Sequence, residues 1–253
     1  MTLPRRSVRF LAPTLACALL AVGHVATAEA KVTATVGGKI LTVRGGKGAD
    51  LAAVACSGQG QVKVNGRDPR TGPIACASIS EVDAFTGAGN DRVNLAGVGI
   101  ATGFGQRDLP GFGTGTGAAA QLGRGNDRYI GGGSAFNLVL GGAGSERLSG
   151  GSLRDDLQGG AGNDTINGGD GRDVILGNGG ADTLRGGAGD DLVSGNAGDD
   201  LLNGGEGADL LGGGLGKDTL LGGAGDDTLI GGPQKDRLDG GAGDNTLVQN
   251  SPK

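Results

Sequence analysis

Between residues 141 and 248 an aliphatic side chain returns at every ninth position: Leu148, Leu157, Ile166, Ile175, Leu184, Val193, Leu202, Leu211, Leu220, Leu229, Leu238 and Leu247. The residues between them are mostly glycine, aspartate and asparagine, which favour turns. The nine-residue period divides the stretch into twelve units without insertion or deletion. Each unit reads as six residues of turn chemistry and a very short strand, whose central aliphatic faces one side while its neighbours face the other. Two units make a coil that returns on itself, so the array predicts about six coils with aliphatics from opposite strands meeting inside. A helix is excluded, because three glycines in nine residues would cost about 3 kcal/mol per unit. The predicted fold is all-β: a parallel β-roll or β-solenoid of nonapeptide repeats, two per coil, preceded by a small β-rich N-terminal segment.

The other columns ask for different properties. The pattern is G-G-x-G-x-D-x-U-x, with U aliphatic, and its first position is glycine in all twelve units. The second is glycine except at Asn178 and Asn196. Asparagine is the side chain that best tolerates a left-handed backbone, so the exchange predicts a positive φ there. The fourth position is glycine except at Leu153 and Gln234, and the sixth is aspartate except at Glu146 and Asn245.

Two earlier stretches repeat part of this pattern. Residues 87–93 and 123–129 both carry G-x-G-N-D, 36 residues apart, which is four repeat lengths. Asp91 and Asp127 are therefore second-rank ligand candidates, and a one-residue offset near residues 131–140 separates them from the regular array. The stretch 97–121, rich in glycine, threonine and alanine, reads either as degenerate coils or as a loop. Further upstream, alternation over 32–36 and 39–43 around Gly37-Gly38 predicts a hairpin, with more strands at 52–56, 61–65 and 74–77. The expected organisation is a cleaved segment (1–30), a small β cap (31–85), a transition region (86–140), the roll (141–248) and a tail (249–253). The cap would cover the apolar end of the roll; a recognition module is the sharper alternative for it.

Composition adds constraints. Glycine accounts for 59 of 253 residues, with no Trp, one Tyr and five Phe, too few bulky groups for an ordinary globular core. At the N-terminus, Arg5, Arg6 and Arg9 precede an apolar run and Ala28-Glu29-Ala30, the form of an export signal cleaved before Lys31 or Glu29. General secretion fits better than a twin-arginine route, because the rest of that pattern is loose. Cleavage removes Cys17 and leaves Cys56 and Cys76, which an oxidising compartment would bridge. It also removes His24, the single histidine, and so excludes histidine-dependent triads, zinc sites with histidine ligands and histidine general bases. Residues 141–248 carry 19 acidic and 7 basic side chains, against 7 acidic and 11 basic over 31–140. Stacked carboxylates about 5 Å apart repel by about 3 kcal/mol per adjacent pair at an effective dielectric near 20. Calcium, a hard cation served by six to eight oxygens, answers both the charge and the free turn carbonyls.

The array resembles the repeats-in-toxin (RTX) family of calcium-binding nonapeptides. That resemblance implies Ca²⁺ bound between successive turns by the motif aspartate and backbone carbonyls. Carried over, the carboxylate ligands are Asp155, Asp164, Asp173, Asp182, Asp191, Asp200, Asp209, Asp218, Asp227 and Asp236. Glu146 and Asn245 depart from the pattern, and Leu153 and Gln234 alter the turns before Asp155 and Asp236. The expected function is a secreted, extracellular, bacterial calcium-binding protein without catalytic residues, folding on Ca²⁺ outside the cell in a structural or adhesion role. Its expected partner is calcium, with no nucleic acid, no membrane insertion after cleavage, and a cell-surface or matrix partner left open. Family members exported by the type I route usually carry an uncleaved signal after the repeats; five residues follow the last unit here, which points instead to the N-terminal signal. The competing expectation is a calcium-dependent enzyme on polysaccharide, using paired carboxylates such as Asp190-Asp191, Asp199-Asp200 and Asp226-Asp227. The repeats lack the aromatics that usually line a sugar cleft. An ice-binding face is disfavoured, since no outward column repeats threonine throughout.

Overall fold

The computed structural model describes residues 88–97, 117–131 and 136–249, together with the backbone of the strands Arg6–Arg9, Thr33–Gly37, Ile40–Arg44, Leu51–Cys56, Val62–Val64 and Glu81–Phe85. Among the described residues every regular element is a strand. The strands form one twelve-stranded and one ten-stranded sheet. Within the repeats, successive strands alternate between the sheets, and each pairs in parallel with the strand one coil on. Thus Ile166 lies beside Leu184 in one sheet and Ile175 beside Val193 in the other, both 18 residues apart. The roll predicted from the nine-residue period is therefore the fold observed.

The aliphatic column forms the core. Leu157, Ile175, Val193, Leu202, Leu211, Leu220 and Leu229 are fully buried between the sheets, and Ala120, Tyr129 and Val139 continue the column upstream. Burial fails only at the last coil, where Leu247 is 50 % exposed. Each side chain in this column is covered by the next coil, so a terminal one loses half its packing.

The strands are longer than the three-residue elements the sequence suggests. Thr165–Asp170 and Leu201–Glu206, for example, run six residues, from the position before the aliphatic through the first two glycines of the next unit. Inward alternation carries on through the first glycine, which is buried without a side chain. Three strands of the regular array stay short, Arg147–Ser149, Thr228–Ile230 and the last, Thr246–Val248. The first two precede the units with Leu153 and Gln234 in place of the fourth glycine. Elsewhere that glycine takes a positive φ, as at Gly162 (123°) and Gly207 (124°), both of which donate their N–H to the neighbouring turn.

Register locates the upstream irregularities. Arg128 pairs with Arg147 and Gly117 with Phe136, 19 residues apart, whereas Leu138 pairs with Asp156 at 18. The predicted extra residue therefore falls between Ile130 and Phe136. Glu81 pairs directly with Gly117 and Arg92 with Arg128. No coil intervenes between these two rungs, so the reading of 97–121 as degenerate coils is corrected. Residues 117–121 belong to the strand Gly117–Arg124, and 98–116 lie outside the described residues.

Ile40–Arg44 and Leu51–Cys56 are further parallel rungs of the same two sheets. Thr33–Gly37 joins Ile40–Arg44 as an antiparallel hairpin, with Gly37 beside Ile40, one residue later than a Gly37-Gly38 turn would give. Val62–Val64 lies antiparallel to Leu51–Cys56. Arg6–Arg9, inside the segment expected to be cleaved, sits at the outer edge of its sheet beside Thr33–Gly37. Residues 74–77, and Cys76 with them, lie outside the described residues, as does the expected Cys56–Cys76 bridge.

Candidate metal centre

The sixth-position side chains stack in two columns, one along each line of turns. One holds Asn137, Asp155, Asp173, Asp191, Asp209, Asp227 and Asn245. The other holds Asp91, Asp127, Glu146, Asp164, Asp182, Asp200, Asp218 and Asp236. All ten predicted ligands fall in these columns, five in the first and five in the second. The acidic members from Asp91 to Asp227 are buried, each no more than 3 % exposed.

One carboxylate oxygen of each aspartate is used by the backbone. Asp173 Oδ1 accepts the N–H of Asp155 at 2.7 Å, Asp191 Oδ1 that of Asp173 at 2.7 Å, and Asp209 Oδ1 that of Asp191 at 2.8 Å. The second column repeats this, from Asp164 Oδ1 on the Glu146 N–H to Asp236 Oδ1 on the Asp218 N–H. The Asp91 N–H donates to Asp127 Oδ1 at 2.6 Å. A buried N–H needs an acceptor, and a side chain one coil on supplies it.

The other oxygen is left over. Oδ2 of Asp164, Asp173, Asp182, Asp191, Asp200, Asp209, Asp218 and Asp227 is buried and accepts no hydrogen bond, as is Oδ2 of Asp127 and both carboxyl oxygens of Glu146. In the regular units each aspartate Oδ2 borders a small space beside the first glycine of its own unit, whereas Leu122 stands at that position in the turn of Asp127. A Cβ placed on Gly168 would strike Asp173 Oδ2 and the carbonyl oxygen of Gly186. One on Gly195 would meet Asp200 Oδ2 and the Gly213 carbonyl. Invariant glycine at this position is thus explained by the oxygens that face it. Two oxygens converging with no donor between them repel, and either a proton on the carboxyl or a cation between the oxygens relieves that repulsion. Among the described residues no three His, Cys, Asp or Glu side chains gather at metal-holding distance. Each cradle would complete its oxygens from the backbone.

Loss of water makes these carboxyls hard to ionise. Burial, the largest cause at each, pushes Asp127, Asp155, Asp191, Asp209 and Asp218 up to about 6, and Asp173 and Asp182 up to about 7. Glu146 rises to about 8, first by burial and then through the facing Asp164 carboxyl. Asp164 and Asp200 are raised as well, again by burial. Donated backbone N–H groups hold the aspartates lower than burial alone would.

The fifth position carries a ladder that sequence reasoning treated as free to vary. Asp190 Oδ1 accepts the Ala208 N–H, Asp199 Oδ1 that of Lys217 and Asp226 Oδ1 that of Asp244, each near 2.9 Å, and Asn163 Oδ1 does the same for Ala181. The residues recur at a fixed column, which was the available signal. This ladder also takes up the first carboxylate of each paired Asp-Asp. Asn137 was missed for another reason: the extra residue before it hides its place in the column.

The sequence profile of the RTX calcium-binding nonapeptide repeat matches four times, over residues 140–175, 149–184, 176–211 and 212–247, less than half of the chain in all. No curated protein matches the chain in a sequence comparison.

Proposed function

With residues 140–247 being RTX calcium-binding nonapeptide repeats, we propose that the protein is a secreted, non-enzymatic calcium-binding protein whose roll folds on calcium outside a bacterial cell and serves as a structural or interaction element. The observation that carries this is the row of buried Oδ2 atoms without a donor, each facing a backbone carbonyl across a space only glycine leaves open. Asp164, Asp173, Asp182, Asp191, Asp200, Asp209, Asp218 and Asp227 would hold the ions with turn carbonyls, and Glu146, beside Gly141, extends the same chemistry upstream. Bound calcium supplies positive charge at carboxylates that are otherwise costly to bury ionised. The residues themselves tie each turn to the next through Oδ1, so holding the cation and ordering the coil are one process.

Several features support export. The N-terminal pattern has the form of a cleaved signal, and extracellular modules bind calcium with Kd of about 0.1–1 mM, which leaves them empty in a low-calcium cytoplasm. Cys56 and Cys76 would then form a disulfide in the upstream region. Among the described residues no helix is long and apolar enough to cross a membrane. The test is far-UV circular dichroism during titration with Ca²⁺ and reversal with EDTA. Cooperative gain of β signal at sub-millimolar to millimolar Ca²⁺, not reproduced by Mg²⁺, is expected. A spectrum indifferent to both additions would leave a metal-independent solenoid.

A further inference from the structure

We propose that three side-chain amides, those of Asn137, Asn245 and Gln249, close the ends of the carboxylate columns by supplying N–H groups where interior turns leave an oxygen for a cation. The proposal rests on the calcium reading above and concerns where calcium uptake stops.

At the upstream end of the first column, Asn137 is fully buried. Its Nδ2 donates to Asp155 Oδ1 at 2.7 Å, and its Oδ1 accepts the Tyr129 O–H at 2.8 Å. Asp155 departs from its neighbours in turn, because its Oδ2 accepts the Gly151 N–H at 2.6 Å. At the far end of this column, Asn245 Oδ1 accepts the Asp227 N–H as an aspartate would. Its Nδ2 then lies where an Oδ2 lies elsewhere, beside Gly240, and points at the carbonyls of Gly241 and Gly243, 3.4 Å from each. The second column ends at Asp236, whose Oδ2 accepts Gln249 Nε2 at 2.9 Å; the same amide donates to the Gln234 carbonyl at 2.7 Å. That bond also gives a role to the turn whose glycine is replaced by Gln234.

The amide orientations follow from their partners. Carboxylates and carbonyls only accept, so the atom facing them is the NH₂ nitrogen. At the ends of the columns, acceptors of the kind that an interior turn leaves open meet a side-chain amide instead. A neutral amide satisfies the exposed acceptor there without adding charge. Asp155 and Asp236, the outermost of the ten aspartates, are accordingly satisfied by the protein, while the eight between them in sequence are not.

Calcium bound per chain, measured by isothermal titration and equilibrium dialysis on cation-stripped full-length protein, tests this. Gln249→Ala removes an exposed side chain, so it leaves folding largely untouched while freeing Asp236 Oδ2. Asn245→Asp creates an acceptor where a donor stands. Each is expected to raise the stoichiometry by about one relative to the parent, and Gln249→Ala to lower stability in EDTA. Parental stoichiometry in both variants would overturn the proposal, and for Gln249→Ala alone would do so if Asn245→Asp does not fold. A parent that takes up no calcium would instead sink the function proposed above.

Discussion

The two columns of turns share one nine-residue chemistry and differ in how they end. In the first, five aspartates stand between Asn137 and Asn245; in the second, eight acidic side chains run from Asp91 to Asp236, and Gln249 caps the last. The aliphatic column is equally regular along both strands of every coil, so the hydrophobic period does not set the length of a carboxylate stack. What sets it is the side chain at the sixth position of the end turns. Adjacent rungs of a sheet lie about 5 Å apart, where two ionised carboxylates repel by about 3 kcal/mol at a dielectric near 20. On the calcium reading proposed above, every extra member should deepen dependence on a cation, and the longer column, with Glu146 and Asp127 added, should carry the larger dependence.

The largest effect should come from filling one cradle in each column. In Gly195→Ala the new methyl meets Asp200 Oδ2 and the Gly213 carbonyl; in Gly204→Ala it meets Asp209 Oδ2 and the Gly222 carbonyl. Overpacking against backbone costs about 1–3 kcal/mol, and displaced calcium adds to it. Urea unfolding in saturating calcium should show equal losses for the two variants, since the interiors of the columns are alike. A methyl tolerated in one column alone would show that its cradles stay unused.

Removing charge without removing shape is a gentler probe. Asp182→Asn and Asp191→Asn keep the oxygen that accepts the N–H of Asp164 and of Asp173. With calcium each should lose about 2 kcal/mol, the scale of a charged interaction in a buried site. In EDTA the sign should invert, because a buried repulsive carboxylate is gone. Loss of stability in both conditions would mean that these oxygens serve the backbone alone.

Acid offers the same comparison without substitution. In the folded chain Asp191, Asp209 and Asp218 titrate near 6, Asp173 and Asp182 near 7 and Glu146 near 8, all above the ordinary value near 4. A raised folded-state value stabilises below the unfolded value and is lost as pH climbs through the folded one. In EDTA, β signal should therefore increase as pH falls from about 8 to about 5. In calcium the trend reverses, because protons compete for the same oxygens. The second column, with Glu146, should respond at the higher end of the window, which residue-resolved hydrogen exchange would detect.

Most of the roll was legible because one side chain per nine residues must be buried, and the period counts the coils. The ten aspartates were legible for the same reason. Three features were not. Strand length was hidden because glycine carries no side chain to betray that alternation continues through it. Asn137 was hidden by the single residue inserted before it, which breaks the frame at the place where the column ends. The fifth-position ladder was hidden because its Asn and Asp look like solvent-facing turn residues until a neighbouring coil brings an N–H within reach, as Lys217 does for Asp199. Stacking supplies that contact, and a linear pattern does not display it.

The smallest effect separates backbone strain from the cation altogether. Asn178 and Asn196 hold φ of 78° and 74° in turns of the second column, the region predicted from their exchange with glycine. They pair with each other one coil apart, and neither is a sixth-position residue. Asn178→Ala should cost about 1 kcal/mol, the scale of a β-carbon forced into a left-handed conformation. Asn178→Gly should stay within about 0.5 kcal/mol of the parent, relief of strain being offset by a freer unfolded chain. Neither variant should alter the calcium bound per chain, whereas every substitution in the cradles should. If Asn178→Ala lowers that number, the second glycine position belongs to the ligand set, and the turn cannot be divided into residues that shape it and residues that hold the ion.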